Sequence, residues 1–354
     1  MPDSTIAQWQ ARLRDAASAK VAICVRGGGS KDFYGESPSG DVLDTRSYAG
    51  VIDYDPTELV ITARSGTPLA EIERVMAEHS QMLAFEPPHY GSGATLGGVV
   101  AAGISGPRRP YAGAARDVVL GVRLLDGNGT DLSFGGRVMK NVAGFDVSRL
   151  MTGAMGTLGV LLDISLKCLP LARAESTLAF DMDAANALKQ MNEWARRPLP
   201  ISATCHHAGR LYVRLSGSAP AVGGAAQMLG GSRVDDALFW RSLRDHTLPA
   251  LAHAAEVWRL SLRSTAPALA LGGEQVIEWG GAQRWLALSE PGEAARLRKV
   301  ATEHGGHASL FRANARCTGV FQPLPAPLLE IHRRLKATFD PAGVLNPGRL
   351  YPEL

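Results

Sequence analysis

Three glycine-rich segments, each next to an apolar stretch, constrain the fold of this chain more than any other feature of its sequence. The segments are RGGGSK (26–31), GSGATLGG (91–98) and MKNVAGFDVSRLMTGAMGTLGV (139–160). In the third segment, the spacing of Gly153, Gly156 and Gly159 predicts a tight loop after a helix that ends near Met151. The alternation of apolar and polar residues over 162–167 then predicts a strand, with the loop at the edge of a sheet.

Taken singly, each segment has an ordinary interpretation as a glycine-rich connection between packed elements. The three together favour a binding site, because each adjoins an apolar segment and offers hydroxyls or bare backbone amides. Convergent N–H groups of this kind form nests that bind anions. The sequence therefore predicts a site for a ligand that carries a pyrophosphate.

The length and composition of the chain narrow its class. With 354 residues it is long enough for two domains, and 45% apolar and 20% charged residues are typical of globular proteins. A net charge of +3 is too small to indicate binding to nucleic acid or to an anionic membrane. The N-terminus lacks the apolar core of a signal peptide, and no run of about 18 apolar residues occurs, so we expect a cytoplasmic protein without a transmembrane segment.

The cysteines favour structural roles over a metal centre. They are far apart in the sequence and form no C-x-x-C pair: Cys24, Cys168, Cys205 and Cys317. Clusters held by thiolates need closely spaced ligands, so we expect isolated core thiols and no iron–sulfur centre within this chain.

Periodicity divides the chain into two parts. The first part is a glycine-rich mixture with helices at 1–20 and after Thr67, strands at 21–25 and 59–63, and a hairpin around DGNG at 126–129. Thr67 is the expected cap of the second helix, with proline in its first turn.

From about residue 174 the glycine loops become fewer and strands alternate with helices. Strands are predicted at 176–181, 201–206, 211–215, 256–262, 275–279 and 285–288, with helices at 184–197, 219–229 and 293–304. This order predicts an antiparallel sheet with helices on one face. At least half of four tryptophans are expected in the core: Trp240, Trp258, Trp279 and Trp285. A final amphipathic helix through Phe339 precedes an ordered tail, DPAGVLNPGR at 340–349.

At this point the pattern resembles a known family. The segments RGGGS, GSGATLGGVVAAG, KNVAGFDVSRLMTGAMGTLGV and FDPAGVLNPGR have the order and spacing of FAD-binding oxidoreductases related to vanillyl-alcohol oxidase and D-2-hydroxy-acid dehydrogenases. The phrases SGPRRPYAGAARDVVLGVRLLDGNG and VWRLSLRSTAP are most similar to the FAD-binding subunits of bacterial glycolate oxidases, also called glycolate dehydrogenases. The resemblance covers most of residues 20–350.

The resemblance implies an α+β fold: a bipartite vanillyl-alcohol-oxidase-type (PCMH) FAD-binding domain of two α/β subdomains, plus an antiparallel α/β cap domain. The FAD-binding domain would span 1–172, with subdomains at about 1–63 and 64–172. The cap domain would span 173–320, and a C-terminal segment, 321–354, would return to the FAD domain.

The resemblance also implies which residues hold FAD. The first half of a diphosphate clamp would be Arg26, Gly27, Gly28, Gly29, Ser30 and Lys31, and the second half Gly91, Ser92, Thr95, Leu96 and Gly97. The ribityl chain, ring and adenine would lie near Gly103, Gly106, Gly156, Thr157 and Val160, with Asn346 and Arg349 returning from the tail. Ser30 could instead cap a turn, Arg349 could pair with a surface carboxylate, and Lys140 is open between a salt bridge and a flavin contact. Related proteins attach FAD through a histidine in the first loop, where this chain has only glycines, so non-covalent FAD is implied.

Oxidation of a 2-hydroxy acid requires a base for the hydroxyl proton and a cation for the carboxylate. Catalytic relatives carry a His-Ala-Gly-Asp-Gly-Asn-x-His motif whose histidines bind a metal. In the sequence HAGRLYVR at 207–214, the acidic residue and the second histidine are both arginine. No metal site is therefore expected, although Arg214 could hold a carboxylate. The candidate catalytic residues are Arg214, His207 and His89, each with an ordinary structural role as its alternative.

Two functions remain open. In the first, this FAD-dependent oxidoreductase subunit oxidises glycolate to glyoxylate, or a related 2-hydroxy acid, at its own FAD. In the second, it passes electrons or has a structural role, while a homologous FAD-containing catalytic subunit performs the oxidation and an iron–sulfur subunit removes electrons. The missing metal motif favours the second. An autonomous single-chain 2-hydroxy-acid dehydrogenase is the alternative, and a nucleotide-binding module without redox chemistry ranks third. In a complex the chain would lie in the cytoplasm, peripheral to the inner membrane.

Overall fold

The computed structural model describes residues 2–136, 146–234, 237–315 and 319–354. The chain forms two compact units. The first consists of Met1–Ile104, Ala114–Pro170 and Pro323–Leu354, and the second of Ser105–Gly113 and Leu171–Gln322. The sequence prediction assigned 105–113 to the first domain, whereas these residues cluster with the second unit. Lys140 and Cys317 lie outside the described residues, as does the start of the third glycine segment.

The helices and strands follow in chain order. Up to residue 136 they are α1 (Pro2–Ala19), β1 (Ile23–Arg26), β2 (Asp41–Asp44), β3 (Val51–Asp55), β4 (Val60–Arg64), α2 (Leu69–Ala77), β5 (Gln81–Met82), α3 (Leu96–Ala102), α4 (Arg109–Ala112), α5 (Ala115–Val118), β6 (Val119–Leu125) and β7 (Asp131–Gly135). After residue 145 they are α6 (Val147–Met151), β8 (Val160–Lys167), β9 (Leu169–Pro170), β10 (Ala174–Asp181), α7 (Ala184–Trp194), β11 (Ile201–His207), β12 (Arg210–Gly217), α8 (Ala219–Leu229), β13 (Ser232–Val234), α9 (Ala237–Arg244), α10 (Pro249–Ala252), β14 (Glu256–Ser261), β15 (Glu274–Glu278), β16 (Gln283–Leu288), α11 (Ala294–Glu303), β17 (His307–Ala313) and α12 (Ala326–Phe339).

The larger sheet of the first unit has the strand order β3-β4-β8-β6-β7, with antiparallel pairing throughout. The strand after the third glycine segment, β8, is the central strand, so the prediction of a sheet edge was wrong. Ser165 on β8 is buried and shares a hydrogen bond of 2.9 Å with the Thr62 hydroxyl. The alternation misled because a polar residue with a buried partner looks, in the sequence, like one that faces solvent.

The helix α2 packs its apolar stripe on this sheet. Leu69, Ile72 and Met76 are fully buried, and each contributes about 1.5–3 kcal/mol through the burial of its side chain. The predicted threonine cap is wrong: the residue before the helix is Pro68, and no side chain caps the first turn. The Thr67 hydroxyl donates instead to the Arg64 carbonyl at 2.7 Å.

The predicted hairpin is confirmed, since β6 and β7 pair in antiparallel register around the turn at 126–130. The Asp126 carboxylate accepts hydrogen bonds from the backbone N–H groups of Asn128 and Thr130, both at 2.8 Å. Such a side-chain acceptor fixes a short turn by replacing a backbone contact.

A smaller sheet holds the start of the first glycine segment. β1 and β2 pair in parallel, and the C-terminal tail adds a short parallel bridge between Ile23 and Leu345. Helix α1 covers this sheet with Ile6, Trp9 and Leu13. The first 45 residues and the tail therefore share one hydrophobic core.

In the second unit, eight described strands form one antiparallel sheet in the order β13-β10-β12-β11-β15-β16-β14-β17. Helices α7, α8 and α11 bury their apolar sides in the cores of one face. The prediction of helices on one face is incomplete, because α9 packs on the other: Phe239 stacks on Tyr212 at 4.2 Å between ring centroids. The core prediction for the four tryptophans is confirmed, since all four are buried.

None of the described helices is both long enough and apolar enough to cross a lipid bilayer.

Candidate cofactor site

A cleft in the first unit encloses about 920 Å³ of empty space, including solvent at its mouth. Its walls are residues 24–32 at the end of β1, the first turn of α3, the turn at 154–156 and the tail residues Asn346 and Arg349. Parts of all three glycine segments therefore meet at one place.

The first glycine segment provides the donors of this cleft. Among the described residues, no acceptor receives the backbone N–H groups of Gly27, Gly28, Gly29 or Ser30. Four consecutive amides along one wall form the kind of nest that binds phosphate oxygens. Ser65, which also lines the cleft, is buried, and its hydroxyl has no hydrogen-bond partner within the described parts of the chain.

Glycine is required here because two backbones approach each other. A Cβ atom on Gly28 would lie 1.5 Å from the carbonyl oxygen of Gly93, and one on Gly27 would lie 2.3 Å from Thr95 Oγ1. Gly29 has a φ of +73°, which side chains disfavour. The first and second glycine segments thus pack directly on each other, and any side chain at residue 28 would force them apart.

The second glycine segment opens α3. Thr95 caps the helix, accepting a hydrogen bond at 3.3 Å from the N–H of Gly98. The N–H groups of Leu96 and Gly97 donate to the carbonyls of Thr67 and Ser65 at 2.9 and 2.7 Å. Those two amides therefore have acceptors within the protein. The second segment contributes to the surface of the cleft, but these amides are not available as donors to a ligand.

The tail reaches the cleft through Asn346. Its Oδ1 accepts from the Val25 N–H at 2.7 Å, and its Nδ2 donates to the Met155 carbonyl at 2.6 Å. A Cβ atom on Gly156 would lie 2.7 Å from that Nδ2. Asn346 thereby joins β1 to the turn at 154–156, and both segments line the cleft.

Positive charge surrounds the nest. Of the charged residues that line the cleft within the described ranges, three are cations, Arg26, Lys31 and Arg349, and one is a carboxylate, Asp32. Arg26 pairs with Asp32 at 2.6 Å, and buried Arg349 donates through Nη2 to the carbonyls of Lys31 and Asp32 at 3.3 and 3.2 Å. Burial raises the pKa of Cys24, so this lining thiol stays protonated near neutral pH. A diphosphate suits the charge and donors of this cleft.

The structure gathers many, though not all, of the predicted cofactor residues. The cleft is lined by Arg26, Gly27, Gly28, Gly29, Ser30, Lys31, Thr95, Gly97, Gly156, Asn346 and Arg349. Leu96 and Val160 lie in the hydrophobic cores, and the Thr157 hydroxyl donates to the Ala154 carbonyl. Gly91 and Ser92 are exposed beside the nest, and Gly103 ends α3. Gly106 belongs to the second unit, where its carbonyl accepts from Trp279.

Several lining residues escaped prediction. Cys24, Asp32, Thr45, Ser65 and Met155 all contact the cleft. Ser65 directly follows β4, where a small polar residue after a buried strand is a weak signal. The others carry no pattern that separates them from ordinary structural residues.

The three catalytic candidates are divided between the two units. His89 belongs to the first unit, where its Nε2 lies 2.9 Å from Glu73 Oε2. His207 and Arg214 belong to the second unit, with His207 Nδ1 at 3.5 Å from Glu274 Oε1. In the strand register His207 pairs with Arg210, whereas Arg214 pairs with Ala203. Four residues along a strand therefore separate their positions on the backbone by about 13 Å.

Arg214 is integrated into the second unit. Its Nε donates to the Ser202 hydroxyl at 3.0 Å, and its guanidinium lies 5.1 Å from the centre of the Trp240 ring. His206, which precedes His207 in the chain, is also buried. Burial lowers the pKa of His206, and its Nε2 lies 3.0 Å from the Met182 carbonyl. Among the described residues, no group of three or more His, Cys, Asp or Glu side chains is arranged to hold a metal ion.

Comparison with known proteins agrees with a cofactor site in this cleft. The family described as "FAD binding domain" matches residues 4–135, which include the nest and the cap of α3. The cofactor is therefore FAD. Among solved structures, alkyldihydroxyacetonephosphate synthase matches with a TM-score of 0.64 at 15% identity, covering 96% of this chain and 73% of that chain. This likeness concerns the fold, and it confirms the predicted vanillyl-alcohol-oxidase-type architecture.

Relatives are found along the whole chain. The D-lactate dehydrogenase of Archaeoglobus fulgidus is 29% identical over 194 residues, 54% of this chain and 43% of that protein. The glycolate oxidase subunit GlcD of Bacillus subtilis is 30% identical over 186 residues, 50% of this chain and 39% of that protein. The glycolate oxidase subunit GlcE of Escherichia coli K12 is 48% identical over 343 residues, 97% of this chain and 96% of that protein. The chain belongs to the family of the glycolate oxidase subunit GlcE.

Proposed function

We propose that this chain is the FAD-binding subunit of a multi-subunit glycolate oxidase, in which it takes part in oxidising glycolate to glyoxylate by passing electrons onward. The observation that carries the proposal is the row of four backbone amides in a cationic cleft, for which the described part of the chain offers no acceptor. The family of GlcE supplies the substrate class.

The chain's residues would hold FAD mainly through its backbone. The amides of residues 27–30 would bind the diphosphate, and the cations Arg26, Lys31 and Arg349 would balance its charge. FAD supplies a ring that takes up and releases electrons, and the protein supplies binding, orientation and electrostatics. The nest contains neither histidine nor cysteine, which supports non-covalent attachment.

The second unit favours electron transfer over oxidation within this chain. A 2-hydroxy acid needs a base and a carboxylate-binding cation within about 3–3.5 Å of the reacting atoms. The backbone positions of the two candidates in the second unit are about 13 Å apart along the strand, and buried Arg214 is hydrogen-bonded to Ser202. We therefore assign the oxidation of glycolate to a partner.

The proposed partners are a homologous FAD-containing catalytic subunit and an iron–sulfur subunit that accepts electrons. This chain is itself similar to GlcD of Bacillus subtilis, and the likeness supports a complex that contains two homologous FAD-binding subunits. We further propose a cytoplasmic location, peripheral to the inner membrane through the complex.

The isolated chain tests this division of labour. The chain is purified alone, loaded with FAD and mixed with glycolate in the absence of oxygen, while the flavin absorbance is recorded. We expect bound flavin that glycolate bleaches only after the catalytic partner is added. Rapid bleaching of the isolated chain would contradict the electron-transfer role and support the alternative, an autonomous 2-hydroxy-acid dehydrogenase.

A folded chain that binds no FAD by itself would exclude the autonomous enzyme and would indicate that the cleft is completed only at a partner interface. Co-expression with the partner should then load this subunit with FAD. A complex whose flavin lies only in the partner would contradict the proposal.

A further inference from the structure

A buried lysine lies behind the FAD cleft. The ammonium group of Lys336 on α12 donates to the carbonyls of Thr157 and Leu345 at 2.8 and 2.5 Å, and lies 2.7 Å from Asp340 Oδ2. An ammonium group has three N–H donors, so all three have acceptors here. Only 8% of the residue is exposed. Lys336 thus joins two segments that are far apart in sequence.

Asp340 extends this junction into the tail. Its two carboxylate oxygens accept the backbone N–H groups of Val344 and Leu345 at 3.1 and 2.7 Å. The N–H of Gly127, in the hairpin turn, donates to the Phe339 carbonyl at 2.8 Å. A Cβ atom on Gly127 would lie 2.4 Å from Asp340 Oδ1, so the turn closes tightly over the carboxylate.

The tail runs directly from this junction into the cleft. The Ile23 N–H donates to the Val344 carbonyl at 2.7 Å, and the Asn346 N–H returns to the Ile23 carbonyl at 2.9 Å. Residues 344–346 therefore act as an additional strand beside β1. Asn346 then contacts Met155, and Arg349 contacts the end of the nest at Lys31.

On its other side, Lys336 holds the turn that faces the nest. Its acceptor Thr157 follows Gly156, which lines the cleft. One ammonium group thereby fixes both the turn at 154–157 and the tail at 345. These are the two segments that Asn346 links at the surface of the cleft.

We propose that Lys336 is a positioning residue for FAD: through the tail and the turn at 154–157, it sets the width of the cleft. This inference rests on the proposed FAD site and adds a residue that does not itself line the cleft. The ordinary alternative is a buried ion pair that affects only stability.

The test compares Lys336→Gln with Arg334→Gln, because Arg334 is an exposed cation on the same helix that pairs with Glu330. FAD affinity is measured by quenching of flavin fluorescence on binding to the FAD-free protein. We expect Lys336→Gln to weaken FAD binding by about tenfold or more and Arg334→Gln to leave it unchanged. The circular dichroism of the bound flavin should change only in Lys336→Gln, because two segments that line the cleft would move.

A double-mutant cycle with Asn346→Ala separates positioning from stability. If Lys336 acts through the tail, the combined loss of affinity will be clearly smaller than the product of the two single losses. Independent losses, or wild-type affinity in Lys336→Gln, would overturn the proposal.

Hydrogen exchange covers the case in which the variants do not fold. In the wild-type chain, FAD should slow exchange at the amides of 344–349 together with those of 27–30. Slowing at the nest alone would overturn the proposal. If the wild-type chain binds no FAD, the proposed FAD site fails. The contacts of Lys336 with the tail are then tested without FAD: amides 344–349 should exchange faster in Lys336→Gln than in Arg334→Gln. Equal exchange in the two variants would refute the role of Lys336.

Discussion

A row of donors in the first unit and a buried arginine in the second unit serve opposite purposes. In the first unit, the backbone amides at 27–30 line a cleft with no acceptor among the described residues. In the second unit, buried Arg284 donates to the protein's own backbone, at the carbonyls of Ala266, Pro267 and Gly281, with distances of 2.6, 2.5 and 3.2 Å. Donors without partners are available to a ligand, whereas donors with partners stabilise the fold. The row of amides therefore marks the part of the first unit that suits a cofactor, whereas Arg284 is a buried charge that serves the fold.

The largest expected effect comes from closing the nest. Gly28→Ala would place a Cβ atom 1.5 Å from the Gly93 carbonyl oxygen, so the two glycine segments must separate. We expect no measurable FAD binding by isothermal titration. The matched control is Gly223→Ala, on a helix of the second unit with no atom within 4 Å of the added Cβ. Retained FAD binding in Gly28→Ala would show that the nest is not the diphosphate site.

A second variant tests whether buried Arg284 stabilises the second unit. Arg284→Met leaves three buried carbonyls without their donor, and we expect a loss of about 3 kcal/mol in the free energy of unfolding. Urea denaturation followed by tryptophan fluorescence measures this, because Trp9 alone of the tryptophans lies in the first unit. FAD affinity should not change. Exposed Arg210, on the same sheet, provides the control Arg210→Met, and equal stability of the two variants would contradict the comparison.

Acid should weaken the second unit through His246. Burial between Trp285 and Phe311, with Arg312 and Arg259 nearby, lowers the pKa of His246 from 6.5 to about 3. Below pH 6.5 the unfolded chain therefore takes up a proton that the folded chain does not, so stability falls as the pH falls. At pH 5 we expect a loss of about 2 kcal/mol relative to pH 7.5 from this group.

Urea denaturation at the two pH values checks this expectation. His246→Phe should reduce the dependence of the unfolding free energy on pH without abolishing it, since burial also lowers the pKa of His206. His253→Phe, at an exposed position of the same unit, should leave it intact. If the unfolding free energy of His246→Phe changed with pH as much as that of the wild type, the buried imidazole would not be the cause of the acid sensitivity.

The smallest effect should come from a side chain of the nest. Ser30→Ala removes the hydroxyl but keeps the four amides, so FAD affinity should fall by less than about tenfold, the value of one ordinary hydrogen bond. Isothermal titration of FAD into Ser30→Ala and into Gly28→Ala measures the difference in affinity. A loss as complete as that of Gly28→Ala would show that side chains, rather than backbone amides, dominate binding.

Much of the fold could be read from local patterns. The hairpin around 126–130, the end of α6 at Met151 and the antiparallel sheet of the second unit all follow from signals within short windows. Two interpretations failed for a common reason. Ser165 on β8 and Thr67 before α2 both have partners distant in sequence, Thr62 and Gly50, and no local pattern reveals such partners.

The candidate site was predictable to the extent that it consists of glycine. Gly27, Gly28, Gly29 and Gly156 were identified because missing side chains are visible in any sequence. Ser65 and Lys336 were not, because a buried serine or lysine looks like an exposed one until its surroundings are known. The same limit explains Arg214, whose guanidinium is engaged with Ser202 and Trp240.

The sequence by itself determined that this chain binds a pyrophosphate cofactor, because glycine spacing and bare amides are local properties of the backbone. The tertiary structure decided how the cleft is closed. It brought residues 344–346 beside β1, placed Lys336 in contact with Thr157 and Leu345, and engaged Arg214 of the second unit internally. The closure of the cleft depends on contacts such as that of Lys336 with Thr157, 179 residues away, and a side chain's partner at that distance is set by packing rather than by its neighbours in sequence.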